Sequence, residues 1–474
     1  MKARGLVLLL IVAIGAGAAY WYLQSKETST EYTSKHGDSV TINAPSGTVN
    51  HQSHFFLGGE NLTRAVRLLN VSLAQQVTTF PLPSSSGGFT FGLNATGEVV
   101  PTSTTFGPLF AERAVTIGKG KFNFGYTFQG TSFDSFEGVS LDSGDLRFVS
   151  EHNNCCPAGA GVPMQTTDFF PEFERDLLLS SLTAEITTQT NAFFANYGVG
   201  RRFDIGLAVP IVHVDIDASV TGEILRTATA ATPTVHSFDG LGQTINTVSS
   251  RDSATGLGDL LVRAKYNFFR SATTAVAGAL DLRLPTGDED QLLGTGATQT
   301  QLFFIMSGEY GRVSPHVNFG YTFSSGKASA DAADVDDPGV QFGPPAATVE
   351  QNPVDLSFPD EWNYTFGIAV AAHPKLTLGF DIRGRTIRDM PRFVLDTTTY
   401  PNRGPGLTLP TASVSVPDEF VDPSRGNLNQ LLGVIGGKIN LGGTFLLNLT
   451  LLVPMNDAGL KPNLTPVIGF DYVF

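Results

Sequence analysis

The chain has 474 residues with 51 Gly, and only 16 % of it is charged, where an ordinary soluble domain carries about a quarter. Thirty basic residues against 44 acidic ones leave a net charge of −14, which excludes a nucleic-acid partner gripped through a basic stripe. Thirty-five Phe and 11 Tyr argue against disorder, and two adjacent cysteines, Cys155 and Cys156, build neither a disulfide framework nor a Cys-based zinc site.

At the N-terminus Lys2 and Arg4 precede an apolar run from Leu6 to Ile14, followed by small residues from Gly15 to Ala19. This is the layout of a secretory signal, residues 1–18, cut after Ala16-x-Ala18. The other reading is an uncleaved anchor reaching Leu23, since Gly5 to Leu23 carries no charge. Residues 19–113 hold an amphipathic stretch at Leu62 to Gln76, a Pro/Ser/Gly turn at Pro81 to Gly88, and a short alternating piece, Phe89, Phe91 and Leu93. These are too few strands for an independent domain. The segment is expected as a plug in a barrel or a periplasmic extension; the alternative is a hairpin that joins the sheet.

Residues 114–474 read as one all-β unit, a transmembrane antiparallel β-barrel. Period-2 rows recur, such as Phe122, Phe124, Tyr126 and Phe128, and Trp362, Tyr364, Phe366, Ile368 and Val370, with polar residues between them. Twelve strands are predicted near 115–133, 177–197, 202–225, 255–270, 273–285, 297–311, 312–325, 361–372, 374–389, 428–440, 443–455 and 463–474. A hairpin from the N-terminal segment would make fourteen. Tight connections at Val199–Arg202, Phe269–Thr273, Tyr310–Arg312, Ala372–Lys375 and Leu441–Gly443 alternate with long ones at 134–176, 226–254, 286–296, 326–360 and 390–427 and a shorter one at 456–462. That sorting, with an even strand count, is the habit of bacterial outer-membrane barrels.

With the apolar rows toward lipid, the opposite face presents Lys121, Glu185, Asp204, Asp259, Arg263, Lys265, Asp281, Arg283, Asp381, Arg383 and Arg385 as a charged lumen. Arg263, Lys265, Arg283, Arg383 and Arg385 opposite Asp259, Asp281 and Asp381 are the expected pore lining, either setting the field in an open pore or stiffening a closed one. His213, Asp215 and Asp217 alternate after Pro210, where a bulge is expected to shift the phase; they read as lumen lining, a metal site being the sharper alternative. Loop 134–176 holds eight acidic and two basic residues up to Arg175, and loop 326–360 seven and one, so each contributes −6 as a solvated exterior. Phe393, Leu395, Tyr400, Leu407, Leu409 and Phe420 offer a hydrophobic solute an apolar landing site.

No GxSxG, HExxH, Walker or dinucleotide motif occurs, so neither an enzyme nor a cofactor is expected. The last strand alternates Leu464, Pro466, Ile468, Phe470, Tyr472 and Phe474, the pattern of a strand handed to the barrel-assembly machinery of the outer membrane. The stretches Thr255-Gly-Leu-Gly-Asp-Leu-Leu-Val-Arg-Ala-Lys-Tyr266, Ala279-Leu-Asp-Leu-Arg-Leu-Pro-Thr-Gly-Asp288, Leu293-Gly-Thr-Gly296 and Ser314-Pro-His-Val-Asn-Phe-Gly-Tyr321 resemble the outer-membrane family linked with the meta-cleavage pathway of phenol degradation. The resemblance is strongest over 250–325 and implies a channel or transporter in the bacterial outer membrane, with aromatic compounds as solutes. The expected function is passive uptake of small aromatic or hydrophobic molecules. The alternative is a non-transporting barrel that binds through its acidic external loops.

Overall fold

The computed structural model describes residues 103–152, 177–225, 243–289, 291–328, 356–402 and 412–473, with short pieces ahead of them that include 75–82. The export signal, the cysteine pair, the far parts of both acidic loops and Phe474 lie outside the described residues. Twelve antiparallel strands form the barrel: β1 (Phe122–Phe136), β2 (Leu177–Gly198), β3 (Phe203–Leu225), β4 (Ile245–Leu257 and Leu260–Arg270), β5 (Thr274–Leu284), β6 (Thr298–Gly308), β7 (Val313–Ser325), β8 (Glu361–His373), β9 (Leu376–Asn402), β10 (Ala412–Gly442), β11 (Phe445–Pro454) and β12 (Thr465–Val473). Each pairs with the next, and β12 returns to β1 from Val467↔Gln129 to Val473↔Asn123, closing the wall. The turns at 199–202, 271–273, 309–312, 374–375 and 443–444 all fall at one end, and the long connections at the other.

What surrounds the barrel follows from its outward side chains. Phe304, Phe319, Phe380, Ile435 and Ile468 are exposed, and Phe366 is 53 % exposed, although apolar rings in water would be unfavourable at this density. From Val313 to Phe323 the row on β7 rises about 34 Å along the strand, about 25 Å at a barrel tilt of ~40°, which matches the lipid-facing band of outer-membrane barrels. The chain is therefore an outer-membrane β-barrel.

Beyond the band the wall reverses polarity without changing phase. On β2 and β3 the inward residues become Ala184, Ile186, Val214, Ile216 and Val220, which pack with Phe133, Phe136, Leu292 and Leu293 in an apolar core. Here the outside is water, so the polar row turns outward. The pairing of β2 with β3 runs from Leu177↔Leu225 to Gly198↔Asp204 without a register shift, so the bulge expected at Pro210 is absent. Glu185, His213, Asp215 and Asp217 consequently stand on the outer surface and not in the lumen. His213 Nδ1 lies 2.7 Å from Thr255 Oγ1, Arg251 lies 3.6 Å from Asp215 and 4.0 Å from Asp217, and no metal-holding group of three occurs among the described residues.

Three further expectations change. The first strand begins at Phe122 and not near 115, because Gly118 and Gly120 turn the chain at φ +97° and +74°. The strand expected over 255–270 reaches back to Ile245 and breaks at Gly258–Asp259, where Gly258 N–H donates to the Pro210 carbonyl. Much of the irregular loop expected over 390–427 is a continuation of β9 and β10, paired as far as Asn402↔Ala412. Inside that hairpin Phe393 is buried with its ring 6.1 Å from Phe136 and 5.9 Å from Phe148, so it supports the outer core and is no exposed landing site.

Candidate functional site: the lumen and the segment that fills it

Ahead of β1, residues 103–117 lie inside the short-turn half of the barrel. Gly107 at φ +85° and Pro108, which lacks an N–H, keep this segment from joining a sheet ladder, so its backbone must find other partners. The wall supplies them. Thr104 N–H donates to Glu309 at 2.8 Å, Phe106 N–H to Thr377 Oγ1 at 2.9 Å, and Phe110 and Ala111 N–H both to Asp381 Oδ2, at 2.6 and 2.9 Å. Asn318 accepts from Glu112 N–H at 2.6 Å and donates to its carbonyl at 3.1 Å. Ser307 then accepts from Ala114 N–H, and Asp204 from Ile117 N–H, both at 2.9 Å. Phe106, Leu109 and Phe110 are buried against the wall, so the strap is held by apolar contact as well.

The charged side chains divide by what they touch. Arg263 forks onto Asp281 at 2.7 and 2.6 Å and also binds Glu112 of the strap. Its guanidinium carbon lies 5.1 Å from the centre of the Phe303 ring. Lys265 Nζ is 3.6 Å from Glu112 and donates to the Arg113 carbonyl at 3.2 Å. Asp381 and Lys265 are thus covered by the strap. Asp259 borders a second, smaller cavity with Leu261 and Arg283, and its carboxylate accepts from Gly287 N–H, Thr295 N–H and Thr295 Oγ1 at 3.1, 2.9 and 2.7 Å, which ties the loop after β5 to the break in β4.

Arg263, Asp281, Arg283, Arg383 and Arg385 meet around one cavity of about 140 Å³. Phe110 and Glu112 of the strap line it, as do Thr79, Pro81 and Leu82 of the earlier segment. Arg283 donates to the Thr78 carbonyl at 3.3 Å; Arg385 donates to Gln430 at 2.7 Å and to Thr79 O and Oγ1 at 3.0 and 2.6 Å. Of the amphipathic stretch, Gln76 accepts from Gln430 and from Leu460 N–H at 2.8 and 2.7 Å, which docks this segment on the wall. Sequence reasoning missed Glu112, Glu361, Phe194 and Phe303 as cavity residues. Glu361 shares the inward phase of Asn363 and Thr365 and could have been found, whereas Glu112 sits in a segment with no periodicity.

Residues 180–383 match the model of the family described as "Putative MetA-pathway of phenol degradation". Among solved structures the chain is similar to an outer membrane channel from Pseudomonas putida F1, with 11 % identity, 76 % of this chain and 98 % of that one covered, and a TM-score of 0.40. The toluene transporter TbuX of Ralstonia pickettii is similar at 11 % identity over 77 % of this chain and 92 % of that one, with a TM-score of 0.33. A FadL homologue of Pseudomonas aeruginosa is similar at 9 % identity over 75 % and 90 %, with a TM-score of 0.31. No curated protein matches the chain.

Proposed function

We propose that this barrel is a passive channel for small aromatic or hydrophobic solutes, in which residues 19–113 act as an internal plug and the cavity between the plug's two pieces is the solute's station. The observation that carries the reading is that cavity, lined by the rings of Phe110, Phe194 and Phe303 together with Arg263, Arg283, Arg383 and Arg385. A barrel that only supported external loops would gain nothing from an aromatic hollow in its lumen, since an unfilled space forfeits packing contacts. The phenol-degradation link of the matching family agrees with an aromatic solute. Because polar and apolar contacts hold the strap at every turn, passage requires the strap to shift. The lining charges Asp281, Arg263, Arg283, Arg383 and Arg385 meet the solute, while Lys265 and Asp381 hold the plug. On this reading the chain acts by transport and not by catalysis, and the barrel-assembly machinery receives its final strand.

The test is solute entry into liposomes containing the purified, folded protein. A small aromatic should enter faster than a sugar of similar size, both measured against protein-free vesicles. Equal, background-level entry of both would refute the channel.

A further inference from the structure

Four guanidinium groups face the cavity, and three of them are committed. Arg263 is held by Asp281 and Glu112, Arg283 reaches the Thr78 carbonyl, and Arg385 is fixed by Gln430 and Thr79. Arg383, on β9 at the rung facing Thr365, makes no hydrogen bond or ion pair among the described residues. It feels attraction from Glu361 and repulsion from Arg385, Arg283 and Arg263. The carboxylates lining the cavity are Glu112, Asp281 and Glu361; Arg263 takes the first two, with Lys265 also on Glu112, so the remaining three arginines share Glu361 and positive charge is left over. Half-buried cations without a partner are costly, and the cost is relieved by whatever brings a negative charge.

Resting on the channel reading, we propose that Arg383 anchors an anion subsite and that the solute class the cavity takes is a small aromatic carboxylate. Size and walls set the rest of the molecule. The cavity's volume of about 140 Å³ is close to the ~150 Å³ at which an engineered apolar cavity takes one benzene. Phe110, Phe194, Phe303 and Leu82 line the same cavity and give that ring apolar contacts. The planar guanidinium fork matches a planar carboxylate with two parallel N–H···O bonds, which a hydroxyl cannot reproduce. A phenol, like the Tyr side chain that titrates near pH 10, stays neutral at pH 7 and brings no charge. A hydrocarbon would strip water from Arg383 and return nothing.

The experiment is calorimetric binding of benzoate, and of benzyl alcohol as its neutral near-isostere, to the folded full chain in detergent. Benzoate should bind the wild type more tightly than benzyl alcohol does. Arg383→Gln should weaken benzoate about 10- to 100-fold, the range for a hydrogen bond to a charged group, and leave benzyl alcohol unchanged. Arg383→Lys keeps the charge without the fork and should fall between. Glu361→Gln removes a competing acid and should tighten benzoate several-fold, which keeps the proposal testable even where Arg383→Gln does not fold. Benzoate binding within twofold in wild type and Arg383→Gln, unchanged affinity in Glu361→Gln, or equal affinity of wild type for both ligands would each overturn the subsite. The channel reading fails separately: benzoate bound with no aromatic entering liposomes would overturn transport and leave the subsite standing.

Discussion

Asp381→Ala asks whether the strap is held by the wall or merely rests in it. Asp381 is fully buried, and a single oxygen takes both the Phe110 and Ala111 amides, at 2.6 and 2.9 Å. Hydrogen bonds to a charged acceptor contribute about 1.5–3 kcal/mol each, so the pair contributes about 3–6 kcal/mol to keeping the strap closed. Removing the carboxylate also removes its own desolvation penalty, which lowers the net loss to about 2–4 kcal/mol. The opening equilibrium of the strap should therefore rise about 30- to 1,000-fold. Hydrogen exchange read by mass spectrometry on peptides covering 104–117 measures this directly, with peptides from β6 as the internal control. Faster exchange confined to the strap, together with faster aromatic entry into liposomes, is the expected result. Unchanged protection of the Phe110 and Ala111 amides in a folded barrel would refute the clamp.

Three other changes probe the remaining parts of the arrangement. Glu112→Gln leaves Arg263 with Asp281 alone and removes the carboxylate 3.6 Å from Lys265, and should lower stability by about 3–5 kcal/mol, read from the denaturant midpoint. Phe366→Arg places a charge on the lipid face and should cost about 2–4 kcal/mol near the bilayer midplane; a cost near zero in lipid vesicles would place that row outside the bilayer. Asp259→Ala frees the loop after β5, so cleavage beside Glu289 by a Glu-specific protease should accelerate while the barrel's melting behaviour changes little.

The barrel was legible because its strands alternate against two fixed environments. Arg263 and Asp281 share the inward phase of neighbouring strands, and they meet as an ion pair at the rung where β4 and β5 place them opposite each other. The partners of Asp381 were not legible: they are backbone amides 270 and 271 residues earlier, and an amide leaves no mark in a sequence. Asp259 carries the same inward-acid signature as Asp281 and does a different job, because Gly258 breaks the strand beside it and turns its carboxylate to a loop. Glu185 and Asp215 stand on the side opposite to the one their alternation suggests, for another reason. Alternation reports which residues share a face, but the medium on that face changes from lipid to water partway along a strand.

That change of medium also explains why the lumen needs its N-terminal segment. In the outer half, where the wall is bathed by water, inward apolar side chains such as Ile186, Val214 and Phe393 fill the interior by themselves. Within the bilayer the outward row must be apolar, the inward row is polar, and a narrow lumen of polar side chains needs partners that water alone would supply less specifically. The strap brings those partners as backbone groups. Room for them comes from small residues in the wall: a Cβ on Gly379 would stand 2.7 Å from Leu109 Cγ, whereas one on Gly367 would run first into the Asp381 carboxylate that clamps the strap, with Ala111 Cβ 3.3 Å away. Gly379 directly, and Gly367 through the space it leaves for Asp381, are matched to a segment and not to a solute. Only the arginine side of the cavity, where Arg383 is unmatched, is left for a molecule from outside.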